Sequence, residues 1–152
     1  MSNSTFAITL PAMQSPRRKL HTILKKTASL QPLYQQIGDY LLTVHRQRWQ
    51  LQQSPEGQSW LPLSPDYQRS KPAASDLILV LNDHLRQSLS YWGDDQGLSF
   101  GTPLEYGAIH HYGGNTDMSP QNAAIPARPW LGVSDDDIEQ INQILKQYLK
   151  EQ

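Results

Sequence analysis

Five histidines and a run of three aspartates are the residues of this 152-residue chain whose types invite a metal or an acid–base role. His110 and His111 are adjacent, and on a helix neighbouring side chains point about 100° apart, so the pair is badly placed to share one ion. No His-Glu-x-x-His or comparable ligand spacing occurs, and Asp83-His84 stands without further ligands. Asp135, Asp136 and Asp137 follow Ser134, which is the composition of a helix start. Acids favour that end of the helix dipole and cations do not, so capping accounts for all three. Glu105 falls three residues after Thr102 and reads as half of a capping box. Cysteine is absent, which removes disulfides, thiolate metal sites and a cysteine nucleophile. There is no Gly-x-Ser-x-Gly elbow and no phosphate-binding glycine loop ending in Lys-Ser/Thr. Catalytic residues, metal and cofactors are therefore expected to be none, and the chain is read as no enzyme.

Binding chemistry is better represented. Before Asp39 there is no acidic residue, while Arg17, Arg18, Lys19, Lys25 and Lys26 give that portion +5 and leave the remainder at -6. Such an arm suits an acidic partner, nucleic acid included, and alone it would bind DNA electrostatically and without sequence preference. Residues 1–28 are accordingly read as a basic, partly flexible arm, and 29–152 as one domain. Aromatic residues and arginine favour interface centres. Arg128 and Trp130 are two apart and share a side if their segment is extended. Together with Trp60 they are the candidate interface residues, core packing of Trp130 being the competing reading. Trp49 and Trp60 are expected to pack together.

The elements that position these groups follow from periodicity. Met1 to Gln14 is polar, broken by Pro11, and reads as weakly ordered, while Arg17 to Ala28 has the spacing of a short amphipathic helix. Leu30, Leu33, Tyr34, Ile37, Leu41 and Val44 form one stripe of a helix over about Leu30 to Gln52, with Ser29 as cap and Gly38 permitting close packing. Ser54-Pro55-Glu56-Gly57 stops it as a turn. A long loop at about 54–76 follows, with Trp60 anchoring one end and the middle projecting. Leu77 to Leu81 is a strand or a helical turn. Leu85 to Tyr91 and Leu98 to Phe100 alternate around Gly93–Gly97 and predict a β-hairpin. Thr102-Pro103 starts a short helix that ends near Tyr112 at Gly113-Gly114. Ile125 to Leu131 is proline-stiffened, an edge strand or irregular. A last helix buries Ile138, Ile141, Leu145, Tyr148 and Leu149. The fold class is α+β: a small antiparallel β-sheet packed by a long N-terminal helix and a C-terminal helix. No apolar window approaches the roughly 18–20 residues of a membrane span, so the chain is read as made in the cytoplasm, with no membrane partner.

Three stretches carry a likeness to a known family. Gly101-Thr102-Pro103-Leu104-Glu105-Tyr106-Gly107-Ala108-Ile109-His110-His111-Tyr112-Gly113 resembles the Gly-Thr, Tyr-Ala-x-Ile-His-x-Phe-Gly element of the Mu-like phage virion morphogenesis family, also described as tail completion proteins. Ile125-Pro126-Ala127-Arg128-Pro129-Trp130-Leu131-Gly132 is similar to its Ile-Pro-Ala-Arg-Pro-Phe-Leu-Gly. Arg48-Trp49 and Pro55-x-Gly57-x-x-Trp60-x-x-Leu63 are similar to its Arg-Phe and Pro-x-Gly-x-x-Trp-x-x-Leu. Trp49, Tyr112 and Trp130 stand where the family has Phe, which keeps aromatic packing. The resemblance implies a structural protein of the tail end or neck that forms a ring with itself and with other neck, tail-terminator or tail-tube proteins. It places the chain in the virion after assembly in the host cytoplasm. The basic arm lies outside the resemblance.

Overall fold

The computed structural model describes residues 6–11, 30–72, 77–80, 83–94, 97–114 and 125–151. The proposed arm helix over Arg17 to Ala28, and the arm's five cations, lie outside them. In chain order the elements are β1 (Phe6–Pro11), α1 (Gln31–Leu51), α2 (Pro65–Ser70), α3 (His84–Gln87), β2 (Ser90–Asp94), β3 (Gly97–Thr102), α4 (Tyr106–Tyr112) and α5 (Asp135–Lys150). The three strands form one antiparallel sheet in the order β1-β3-β2. With the helices against it the fold is α+β, as the sequence predicts.

The first correction is β1. Within Met1 to Gln14, which reads as weakly ordered, Phe6–Pro11 pairs with β3, Phe6 opposite Thr102 and Pro11 opposite Gly97. Pro11 lacks an N–H, yet it closes the end of an outer strand, where proline is tolerated. Phe6 packs edge-on against His111, Tyr112 and Trp130 at ring distances of 5.2–5.6 Å. A long-range aromatic contact, not local propensity, accompanies the strand here.

Helix α1 contacts both the sheet and α5. Its buried stripe is Leu33, Tyr34, Ile37, Gly38 and Leu41, continuing through His45, Arg48 and Trp49. Val44 is only half-buried, and the continuation uses polar residues that a hydrophobic pattern overlooks. The cap position is Leu30, one residue after the expected Ser29, and no side chain caps it. Two glycines set the distance between helix and sheet. A Cβ on Gly38 would stand 2.3 Å from the Tyr91 ring, and one on Gly93 would stand 2.3 Å from the Tyr34 ring. Each tyrosine ring thus packs directly against the other element's glycine. Tyr91 donates to Asp39 Oδ1 at 2.9 Å and Tyr34 to the Asp94 carbonyl at 3.3 Å.

The turn at Ser54–Gly57 forms as expected, with Gly57 at φ 84° and Ser54 N–H donating to the Gln58 carbonyl. The long loop is not structureless, because Ser64 caps the short, exposed α2. The run at 77–80 is neither strand nor helix but a turn, with Leu79 at φ 59°.

The hairpin exists but its first strand starts at Ser90, not Leu85; Leu85 to Gln87, expected to be strand, lie in the single helical turn His84–Gln87. Ser88 Oγ, 2.5 Å from Thr102 Oγ1, ties that turn to β3. Thr102 therefore belongs to the strand and is fully buried, and α4 begins later, at Tyr106, without a side-chain cap. The Thr102–Glu105 capping box is not formed. The helix does end at Tyr112, with Gly113 at φ 79°.

The proline segment from Ile125 is irregular. Helix α5 starts with the Ser134–Asp137 capping box. Ile138 is exposed, contrary to expectation, and the buried line runs from Asp137 to Tyr148, with Ile141, Ile144 and Leu145 partly buried against the core.

Candidate functional site

The three signature stretches converge on one aromatic and polar cluster. From α1 comes Trp49, whose ring centroid lies 5.4 Å from that of Trp60 and 5.4 Å from that of Trp130. The Trp49–Trp60 packing is as the sequence predicts. Trp60 Nε1 donates to the Pro129 carbonyl at 2.7 Å, and Trp130 Nε1 to the Gly107 carbonyl at 3.0 Å. Gly107 is a close approach, since a Cβ there would meet Thr102 at 2.7 Å and Trp130 at 3.2 Å. The Arg128 guanidinium donates to the carbonyls of Leu61 and Pro62 at 2.7 and 3.0 Å. Trp60 and Arg128 thus fasten the proline segment and the 54–72 loop to each other, from opposite sides.

Trp60, Arg128 and Trp130, the candidate interface residues, are therefore brought together as internal groups: 5%, 6% and 0% exposed. Their polar atoms already bond within the chain. Several large apolar side chains are exposed, among them Leu61 next to Trp60, and Tyr106 and Tyr112 at the two ends of α4.

His111 Nδ1 accepts from the backbone N–H of Trp130 and of Leu131, both at 3.3 Å, and so positions the proline segment. His110 joins the same segment through its backbone, its carbonyl accepting from Arg128 N–H at 3.0 Å. Burial, and for His110 the neighbouring Arg128 charge, lower both histidines from their usual range and favour the neutral ring. Neither arrangement resembles a metal site, and among the described residues no cluster of three His, Cys, Asp or Glu could hold an ion.

Sequence reasoning anticipated Asp137 as part of a helix start, but neither the burial of His45 nor the pairing of Asp137 with Arg48. His45 is fully buried; its Nδ1–H donates to the Leu41 carbonyl at 2.7 Å, and its Nε2 accepts from Gly132 N–H at 3.3 Å. Burial lowers its pKa to about 4. Arg48 and Asp137 form a buried ion pair, joined by Tyr40 O–H at 2.7 Å and by the Ser134 N–H at 2.8 Å. Burial pushes the Asp137 carboxyl up, but the bonds from Arg48, Tyr40 and Ser134 together hold it below its usual value. Asp137 thus caps α5 and anchors Arg48, whereas Asp135 and Asp136 are exposed. The available signal was spacing: His45, Arg48 and Trp49 continue the Leu41 stripe at four, seven and eight residues.

Beside the cluster opens a cavity of about 680 Å³ lined by the loop, α3, α4 and the proline segment. Arg128 and His110 are in its wall.

The residues that carry the resemblance are thus among those that knit loop, helix and proline segment into one body. Over residues 12–150 the chain matches the model of the phage virion morphogenesis family. The chain belongs to that family. It is 34% identical over 98 residues to a protein of Escherichia phage Mu named "Putative capsid assembly protein G", covering 61% of this chain and 62% of that one. It is also 34% identical over 106 residues to the Mu-like prophage FluMu G protein 1 of Haemophilus influenzae, covering 66% of each. The matched region therefore spans less than two thirds of either relative's length. No solved structure matches this chain. Among the described residues no helix is long and apolar enough to cross a membrane.

Proposed function

We propose that the chain is a structural subunit of virion assembly, acting at the tail end or neck as part of a ring with other virion proteins. It does so without catalysis. The observation that carries the reading is the family match over residues 12–150. The geometry supports it: the polar atoms of Trp60, Arg128 and His111 are committed to backbone groups of the same chain, which builds a rigid scaffold and no reaction centre. Exposed aromatic and aliphatic residues at the rim of that scaffold are the material of subunit contacts.

Deleting the coding sequence and imaging the resulting particles tests this. Full heads beside unjoined or overlong tails are expected, and cryo-microscopy of intact particles should show the chain in a ring at the tail end or neck. Normal particles lacking the protein would sink the reading, and density among head subunits would move it to the capsid. A second reading, DNA contact through Arg17, Arg18, Lys19, Lys25 and Lys26, rests on the concentration of +5 charge before Asp39. Reversing those five charges separates the two: lost DNA binding with normal assembly favours the accessory DNA role.

A further inference from the structure

The cavity beside the aromatic cluster combines exposed aromatic surface with a cation that the loop carbonyls hold without a counter-charge. Its volume, about 680 Å³, is within the range of about 300–1,000 Å³ typical of ligand clefts. Its rim carries Tyr67 and Tyr106, which are 47% and 42% exposed, so aromatic surface faces solvent where it could be covered. In its wall is Arg128, a residue 6% exposed whose guanidinium, among the described residues, bonds to the neutral carbonyls of Leu61 and Pro62 and pairs with no carboxylate. A buried cation held by carbonyl dipoles alone keeps part of its desolvation cost, and a carboxylate offsets it best. His110, hydrogen-bonded through its backbone to Arg128, has a buried Nδ1 with no partner. Among the described lining residues the other charged or imidazole groups are Lys71, which donates to the Leu77 carbonyl, His84, and Asp83, whose Oδ2 is already bridged to Arg86. The formal charges among these described lining residues are those of Arg128 and Lys71 against Asp83, a net positive wall beneath an aromatic rim.

We propose that this cavity docks an extended acidic peptide segment of another virion protein. A carboxylate of the segment seats on Arg128 and His110, and its apolar side chains cover Tyr67 and Tyr106. The proposal rests on the reading of the chain as an assembly subunit and names where a partner attaches. Acidic segments are selected by charge, and the two tyrosines give sequence-tolerant contact area.

The test presents the full chain to a displayed library of short random peptides and synthesises the winners. Enrichment of Asp or Glu flanked by apolar residues is expected. Replacing the acid by its amide should weaken binding at least about tenfold. Binding should shift the Arg128 Nε and His110 ring resonances in NMR spectra and raise the pH at which His110 titrates, because an adjacent anion favours imidazolium. His84→Glu and Tyr106→Ser change exposed positions, so each should keep the fold by circular dichroism and lose binding. Enrichment without acids, equal binding of the amide peptide, or the same shifts from inorganic phosphate alone would overturn the proposal. So would binding unaffected by both variants. Normal assembly by a variant that has lost peptide binding sinks this site alone; a deletion without particle defects sinks the assembly reading itself.

Discussion

Tryptophan Nε1 atoms separate three residues that look alike in the sequence. Trp60 and Trp130 each donate to a backbone carbonyl, whereas Trp49 Nε1 is buried with no partner. Replacing Trp49 by Phe removes an unsatisfied donor along with part of a ring, and the two effects oppose each other. Chemical denaturation should therefore show Trp49→Phe within about 1 kcal/mol of wild type, and Trp130→Phe costing about 1–3 kcal/mol more, because the Gly107 carbonyl loses its partner. His45 makes a pH prediction. Its folded pKa of about 4 is below the unfolded value of about 6.5, so between these limits the unfolded chain binds a proton that the folded chain refuses. Stability from this group is complete above pH ~6.5, falls with decreasing pH, and is lost by about pH 4, a total of about 3 kcal/mol. His110 and His111 act with the same sign, so the informative quantity is the difference between wild type and His45→Gln. The variant should show a shallower loss across that window, measured by urea titration at each pH.

Among the elements, the approach of α1 to the sheet is the most constrained. Gly38 and Gly93 each receive a tyrosine ring from the other element, which leaves no volume for a methyl group. On helix propensity alone Gly38→Ala should stabilise by up to about 1 kcal/mol. Overpacking against Tyr91 wins, and a net loss of about 1–3 kcal/mol is expected in thermal or urea unfolding. Tyr91→Ala should convert the same substitution into a gain, which a double-mutant cycle reads directly. The elements also show where sequence patterning ran out. Leu85 to Leu89 alternates like a strand, but Ser88 is drawn to Thr102 and the backbone takes a helical turn. Thr102 and Glu105 have the right spacing for a capping box, yet pairing of Thr102 with Phe6 keeps it in the sheet. In both places a partner distant in sequence overrode a local preference.

On the scale of the whole molecule, the Arg48–Asp137 pair joins the long helix to the last one, with Tyr40 and Ser134 completing the bonds. Removing one member strands a buried charge. Asp137→Ala should cost about 3–5 kcal/mol in urea unfolding, while replacing both residues by apolar ones of similar size should recover much of that loss. A cost confined to fraying of α5, seen by hydrogen exchange, would contradict the role as a clamp between distant parts.

The sequence by itself determined the long helix, the turn after it, the hairpin, the last helix with its Ser134 cap, and the family. Those features are local, or are read from motifs in order along the chain. Only the tertiary structure decided that Phe6–Pro11 is a strand, since its partner is β3, some ninety residues away. It likewise decided that Arg128 and Trp130 face inward. Side-chain type makes an arginine and a tryptophan equally suited to an interface or to an anchored core. The carbonyls of Leu61, Pro62 and Gly107, which no pattern in the sequence brings near, settle which contacts they make.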